Sequence, residues 1–236
     1  MAVTALGTLG AGQPGLAPSP AAHRLCQTAL SGAQWHGTSP AARFGELRIV
    51  ALGSSSTAGA GASTAAEGYV AQLAGMLHHA PAYRSAVVWN KGVGGNTLDD
   101  ELARRTRDVY ALNPNVVLLQ SGMNDALQHR DVATFKRNLS GFVQELKAHR
   151  IQVVLLDSQY VPSLATNSEY HRFLNAVSEV GQEQQVPVLA RYKLSVQLMT
   201  QAAMTPGELV AHDQLHPNDF SHWCIAEALA QYFQPS

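Results

Sequence analysis

From residue 47 onward, short apolar runs alternate with segments of helical periodicity, and this alternation constrains the fold more than any other feature of the sequence. The apolar runs cover residues 47–52, 85–89, 116–120, 152–157 and 186–190. They are rich in Val, Leu and Ile and carry little polar alternation, which is typical of parallel strands covered on both faces.

Helical periodicity marks four segments between and after these runs, residues 98–112, 132–146, 167–180 and 218–233. In the second of them, Phe135, Leu139 and Phe142 repeat along one face. In the last, Asn218 follows a proline and is a predicted N-cap. The alternation of strands and helices predicts an α/β fold with a doubly wound parallel sheet of about five strands.

The chain has 236 residues, of which 46% are hydrophobic, and this is enough for one sizeable core. We therefore predict one domain over residues 46–236, preceded by an arm of turn-forming residues over 1–45. The start of the arm is uncharged up to His23 and is either the remnant of an export signal or a disordered extension. No segment is apolar for long enough to span a bilayer, so we expect no integral membrane segment.

The charge pattern excludes several classes of partner. The net charge is -1 and no block of like charge stands out, which argues against nucleic acid and anionic membrane surfaces as partners. The two cysteines, Cys26 and Cys224, have no zinc-type spacing, so we expect no metal site. They are either two buried thiols or one disulfide between the arm and the last helix.

Ligands of doubly wound sheets bind beyond the carboxyl ends of the strands. Polar and glycine residues follow four of the predicted strands and precede the last helix, at residues 53–57, 90–97, 121–125, 158–160 and 213–217. A small-molecule site is therefore predicted at this edge of the sheet.

The residues gathered there suit nucleophilic catalysis. One of three consecutive serines, Ser54 to Ser56, could attack a carbonyl if a base removed its proton. Asp213 and His216 are three positions apart and could supply an orienting carboxylate and the base. A glycine turn over residues 92–95 and the amide of Asn124 offer N–H groups to a developing oxyanion. Each feature alone is equally typical of a turn or a helix cap.

Together these features resemble the SGNH hydrolases, also called the GDSL esterase/lipase family. The stretches "IVALGSSSTAG", "NKGVGGNT", "LLQSGMND" and "DQLHPND" are similar to the blocks that carry the family's Ser, Gly, Asn and His. The resemblance implies a flavodoxin-like three-layer α/β/α sandwich. It also implies Ser55 as nucleophile, Asp213 and His216 as acid and base, and Ser55, Gly95 and Asn124 as oxyanion donors.

The sequence departs from the family pattern beside the nucleophile. Ser54 stands where the family has aspartate, and Ser56 stands where it has leucine or isoleucine. A closer resemblance is to exported proteobacterial members that carry similarly placed cysteines. It implies a periplasmic or secreted protein with a Cys26–Cys224 disulfide, the alternative being a cytoplasmic protein.

These features predict a serine esterase that needs no cofactor and acts on short acyl esters, such as acetyl esters of a small molecule or carbohydrate. Gln159 and Tyr160 are candidates for lining the substrate pocket, and the alternative is that both serve packing and backbone hydrogen bonds. Two other functions stay open, an O-acyltransferase that uses the same residues and a binding protein without catalysis. The sequence does not indicate an oligomeric state.

Overall fold

A single parallel sheet forms the centre of the protein in the computed structural model, which describes residues 20–31 and 46–233. Its order is β2-β1-β3-β4-β5. The strands are β1 (Arg48–Gly53), β2 (Val87–Gly92), β3 (Val116–Gln120), β4 (Gln152–Leu156) and β5 (Val188–Leu189). The predicted doubly wound α/β fold is confirmed.

Helices connect the strands and cover both faces of the sheet. In the described part of the chain they are α1 (Pro20–Ser31), α2 (Ser55–Ala58), α3 (Tyr69–His79), α4 (Leu98–Ala103), α5 (Arg105–Asp108), α6 (Met123–Leu127), α7 (Val132–Ala148), α8 (Ser168–Gln184), α9 (Arg191–Gln201) and α10 (Asp219–Phe233).

Two hydrophobic cores lie on opposite faces of the sheet. Successive residues of a strand point to opposite faces, so Ile49 joins one core and Val50 joins the other. The first core packs against α1, α3, α9 and α10, and the second packs against α4, α6, α7 and α8. This confirms the three-layer sandwich and explains why the central strands are apolar along their whole length.

Among the differences between the observed and the predicted strand and helix limits, three concern the two outer strands of the sheet and the segment before β3. β2 extends through Asn90 and Lys91, because it is an edge strand paired with β1 alone and remains partly exposed. β5 is only two residues long. The segment 98–112 forms α4, α5 and a 3₁₀ turn at Tyr110–Leu112 rather than one helix, with the first break at Arg104.

Helices α3 and α9 are absent from the sequence interpretation. α3 buries Tyr69, Leu73 and Leu77 at helical spacing, so the sequence carried a signal for it. α9 buries Leu194, Leu198 and the charged Arg191, which gives a weak apolar stripe. The predicted N-cap is confirmed, since Asn218 Oδ1 accepts the backbone N–H of Ser221 at 3.1 Å.

Helix α1 lies within the residues predicted to form an arm. Its Cys26 is bonded to Cys224 of α10, with an S–S distance of 1.98 Å. Residues 1–19 and 32–45 lie outside the described residues, so the domain limit at residue 46 and the export signal stay predictions. Among the helices that the structure describes, none is both long and apolar enough to cross a membrane.

The disulfide should contribute strongly to stability, because it links residues separated by 198 positions and restricts the unfolded chain. We expect the double variant Cys26→Ser, Cys224→Ser to lose about 2–4 kcal/mol in free energy of unfolding. Urea unfolding monitored by circular dichroism measures the loss. Dithiothreitol should lower the stability of the unmodified protein and leave that of the variant unchanged. Equal stabilities of the variant and the oxidised protein would contradict the expected contribution.

Candidate active site

Ser55 lies directly beyond the carboxyl end of β1, at the first position of α2. Its Oγ is 2.8 Å from Nε2 of His216, which stands 161 positions further along the chain. The structure therefore brings together two residues that the sequence placed only in separate segments. Ser55 is partly buried and remains in contact with solvent.

Asp213 completes a chain of hydrogen bonds behind His216. Asp213 Oδ2 is 2.6 Å from His216 Nδ1, and Oδ1 accepts the backbone N–H groups of Leu215 and His216 at 3.0 Å each. Gln214, between these two residues, has a φ of 57°. The tight left-handed turn at this residue lets the side chains of Asp213 and His216 meet across a three-residue spacing. The carboxylate thus holds both the backbone and the ring of the histidine segment.

The electrostatics of this pair determine which imidazole nitrogen carries the proton. Burial raises the pKa of Asp213, but hydrogen bonds from the His216 ring and from the backbone N–H groups of His216 and Leu215 outweigh burial and lower the pKa to about 2. An ionised carboxylate only accepts hydrogen bonds, so Nδ1 of His216 donates to it. Nε2 is then free to accept the hydroxyl proton of Ser55.

Gly95 and Asn124 follow the two strands that flank β1. Gly95 has a φ of +79° and open space at its Cβ position, so backbone conformation rather than crowding favours glycine here. One Nδ2–H of Asn124 donates to the carbonyl of Asn96, next to Gly95, at 2.8 Å. The second N–H of that amide is available to a ligand. The N–H groups of Ser55, Gly95 and Asn124 therefore come from three adjacent segments at one sheet edge.

Chemically, this arrangement can activate a hydroxyl and stabilise a negative oxygen beside it. Within residues 20–31 and 46–233, no group of three or more His, Cys, Asp or Glu side chains is placed to hold a metal ion.

Comparison with known proteins identifies the family. A model of the non-GDSL lipase-like family matches residues 32–234. The chain belongs to this family.

Several relatives of this non-GDSL lipase-like protein are named as esterases. An acetylxylan esterase from Geobacillus stearothermophilus is 27% identical over 177 residues, which are 68% of this chain and 78% of the relative. An arylesterase from Vibrio mimicus is 25% identical over 156 residues, 66% of this chain and 72% of the relative. The predicted SGNH-type hydrolase of ester bonds is thereby confirmed as a class.

A solved structure shares the fold. A catalytic mutant of an acetylxylan esterase from Geobacillus stearothermophilus superposes with a TM-score of 0.69 at 21% identity, covering 82% of this chain and 97% of that chain.

Ser54, the departure beside the nucleophile, is explained by its partner in this non-GDSL lipase-like protein. Both the backbone N–H and the hydroxyl of Ser54 donate to Oε1 of Gln120 at 3.1 Å, and Thr57 Oγ1 donates to the same oxygen at 3.0 Å. An aspartate at position 54 would bring a second acceptor to this buried oxygen. Sequence reasoning missed Gln120, although a polar residue that closes an apolar strand could have indicated it.

Gln159 and Tyr160, the two candidates for substrate contact, have different surroundings. Gln159 is buried, accepts the Ser56 hydroxyl at 3.1 Å and donates to the carbonyl of Leu215 at 3.2 Å, so it joins α2 to the His216 segment. Tyr160 is partly buried, with its ring 5.7 Å from that of Tyr192. Both line a cavity of about 20 Å³, room for about one water molecule. Contact with substrate stays a prediction for both residues.

A buried carboxyl group, Asp125, adjoins Asn124 and was not singled out from the sequence. It accepts the backbone N–H of Leu98 at 3.2 Å. Burial raises the pKa of Asp125 to about 6, against smaller opposing effects of backbone hydrogen bonds. Glu101 is also buried, and burial together with the charge of Asp125 raises the pKa of Glu101 well above its ordinary value. This part of the site therefore favours protonated carboxyl groups.

Replacing Asp125 should change how stability depends on pH. The pKa of Asp125 is raised in the folded state. The contribution of this side chain to the stability of the folded state is therefore present below about pH 4 and is lost as the pH rises through 6. Asp125→Asn does not titrate, so we expect it to gain about 2–3 kcal/mol relative to the unmodified protein between pH 4 and 7.5. Urea unfolding of both proteins at several pH values measures this difference.

Asp131 provides a control of opposite sign. Hydrogen bonds from the side chain and backbone of Thr134 lower the pKa of Asp131. The free energy of unfolding of Asp131→Asn should therefore fall furthest below that of the unmodified protein above pH 4, and this difference should shrink as the pH falls. A constant stability difference for Asp125→Asn across the whole range would contradict the raised pKa.

Proposed function

We propose that this protein is a serine esterase that removes short acyl groups, acetyl groups on carbohydrate among them. Ser55 is the nucleophile, His216 the base and Asp213 the orienting carboxylate. One observation carries the proposal. An unbroken hydrogen-bond chain runs from Ser55 Oγ to His216 Nε2 at 2.8 Å and from His216 Nδ1 to Asp213 Oδ2 at 2.6 Å.

In the first step, Ser55 Oγ bonds to the ester carbonyl carbon while its proton passes to Nε2 of His216. The imidazolium ion that forms is stabilised by the ionised Asp213, whose pKa is about 2. The carbonyl oxygen becomes an oxyanion that accepts hydrogen bonds from the backbone N–H groups of Ser55 and Gly95 and from the amide of Asn124. One such donor typically contributes about 10²- to 10³-fold to turnover.

In the second step, the carbon–oxygen bond to the alcohol breaks, and the alcohol leaves with the proton from His216 Nε2. Water then attacks the acyl group on Ser55 and gives a proton to the same nitrogen. Collapse of this second intermediate releases the carboxylic acid and restores the Ser55 hydroxyl. Protons and electrons balance at every step without a further reactant.

A groove near the site and the names of the relatives support an ester of a polar alcohol as the substrate. The cavity of about 20 Å³ beside Tyr160 holds about one water molecule, and its lining includes neither Ser55 nor His216, so it does not set the length of the acyl chain. An open groove of about 650 Å³ borders Asp213, and its polar and aromatic lining suits a sugar. That lining includes Ser63, His212, Gln214, Asn218, Asp219 and Phe220. Acetylxylan esterases among the relatives are named for such a substrate.

We also propose that the protein works in the periplasm or outside the cell. The disulfide between Cys26 and Cys224 supports this location, because disulfides persist in oxidising compartments.

The choice among the three serines can be tested by substitution. Ser55→Ala should reduce kcat for p-nitrophenyl acetate at least about 10³-fold, because no other hydroxyl is hydrogen-bonded to His216 among the described residues. Ser54→Ala is the matched control, and it should keep at least about a tenth of the activity, since the Ser54 backbone N–H still bonds Gln120. Substantial activity in folded Ser55→Ala would sink the nucleophile assignment.

Substrate preference can be measured with p-nitrophenyl esters from acetate to decanoate and with acetylated xylo-oligosaccharides. We expect kcat/KM to fall by at least about tenfold from acetate to octanoate, because a relative is named as an esterase of an acetylated sugar and the proposal takes over that preference for a short acyl group. Free acetate should be released from the acetylated sugar. A preference for octanoate would contradict the short-acyl proposal, and transfer of acetyl to an added sugar would show an acyltransferase.

A further inference from the structure

We infer that Arg104 is a positioning residue for the N–H groups that hold the oxyanion, an inference that rests on the proposed function. Arg104 stands at the break between α4 and α5, and its side chain is only 9% exposed. It does not contact Ser55, His216 or Asp213 in the structure, and it lies outside the motifs that the sequence analysis singled out.

The guanidinium group of Arg104 bonds three segments of the site at once. Nη2 donates to the carbonyl of Gly53 at 2.9 Å, at the end of β1. Nη1 donates to the carbonyl of Lys91 at 2.7 Å, in β2. Nε donates to Oδ1 of Asn96 at 2.8 Å, in the glycine turn. A single planar group thus sets the spacing of these segments.

Two of the bonded segments adjoin proposed oxyanion donors, and the third, at Lys91 in β2, leads into the glycine turn. Gly53 lies two residues before Ser55, and Asn96 directly follows Gly95. The carbonyl of Asn96 accepts the hydrogen bond that orients the amide of Asn124, at 2.8 Å. Arg104 therefore bonds residues that either lie next to the proposed donors in the chain or hydrogen-bond to them.

Asp108 helps to fix the orientation of the Arg104 guanidinium group. Asp108 accepts from Nη1 of Arg104 at 2.8 Å, and it also accepts two hydrogen bonds from Arg107. Hydrogen bonds from Arg107 and then from Arg104 outweigh burial and keep the pKa of Asp108 well below its ordinary value. The anchor stays charged across ordinary pH, so the orientation of Arg104 does not depend on titration of Asp108.

Only arginine can make this set of contacts from one side chain. Its five N–H groups point outward from a rigid plane, whereas lysine carries its donors on a single flexible nitrogen. Loss of the guanidinium should not detach the glycine turn, because the N–H of Val93 also bonds the Gly53 carbonyl at 3.0 Å. We therefore expect folded protein in which the donors are less well aligned with the oxyanion.

The experiment compares Arg104→Met and Arg104→Lys with the control Arg107→Met. Arg107 bonds the same carboxylate through an exposed side chain, and its hydrogen bonds within the described part of the chain go to Asp108 rather than to the donor segments. For each protein, a fluorophosphonate probe is allowed to react to completion, and the labelled fraction gives the number of reactive Ser55 sites. Turnover of p-nitrophenyl acetate is then expressed per counted site, and KM and the inhibition constant for benzeneboronic acid are measured.

We expect both Arg104 variants to lose 10- to 100-fold in kcat per counted site, with KM changed less than threefold. The inhibition constant for benzeneboronic acid should rise by about the same factor, because its tetrahedral adduct with Ser55 places an oxygen against the same donors. Arg107→Met should stay within twofold of the unmodified protein. A role in stability alone would lower the number of counted sites and leave turnover per site unchanged, which would overturn the inference.

Two further proteins keep the test decisive. If the Arg104 variants do not fold, Asn96→Leu removes one of the three contacts and should lower kcat per site three- to tenfold, and unchanged turnover would again overturn the inference. Ser55→Ala separates this inference from the proposed function. If the unmodified protein does not hydrolyse the ester, or if Ser55→Ala still does, the proposed function fails. If the unmodified protein hydrolyses the ester, Ser55→Ala does not, and the Arg104 and Asn96 variants keep unchanged turnover per site, then this inference alone fails.

Discussion

The hydrogen bond between Ser55 Oγ and His216 Nε2 joins segments 161 positions apart, and the proposed chemistry depends on keeping that distance. β1, which lies between β2 and β3 in the sheet, places Ser55 just beyond the carboxyl ends of the strands. The histidine segment has no strand of its own in the sheet, and it is closed instead by an antiparallel bridge between Val210 and Pro217 and by a 2.8 Å hydrogen bond from Ala211 N–H to the His216 carbonyl. The base therefore lies on a short closed loop rather than on a free connection.

Buried polar groups pack against α2 and maintain the position of Ser55. Thr57 Oγ1 bonds both Gln120 and the hydroxyl of Tyr69. His222 of α10 accepts the N–H of Tyr69 and donates to the carbonyl of Ala60, while burial lowers the pKa of His222 to about 4. A neutral imidazole matches that pair of partners. Most polar groups of this network are hydrogen-bonded, although Nε2 of Gln120 is buried without a partner among the described residues, and the bonds that form favour one arrangement of the chain around Ser55.

Sequence reasoning singled out the proposed catalytic residues more readily than the residues proposed to position them. Ser55, Asp213 and His216 follow patterns whose spacing reflects a reaction, and the central strands follow patterns of burial on two faces. Gln120 bonds Ser54, and Arg104 bonds Gly53, both more than 50 positions earlier in the chain, and nothing local to either residue reveals those partners. The helix break at Arg104 falls at the residue that makes these contacts, and local helix propensity alone does not indicate it.

The order of the site along the chain has a consequence for biosynthesis. Ser55 and its supporting strand are made early, whereas Asp213 and His216 directly precede α10, whose Cys224 is bonded to Cys26 in α1. On the proposed mechanism, a nascent chain carries a serine without its base until residues 213–216 have been synthesised and folded back onto β1. Hydrolytic competence is therefore acquired late in synthesis, and a protein cut between α9 and the histidine loop would lose its base while retaining all five strands.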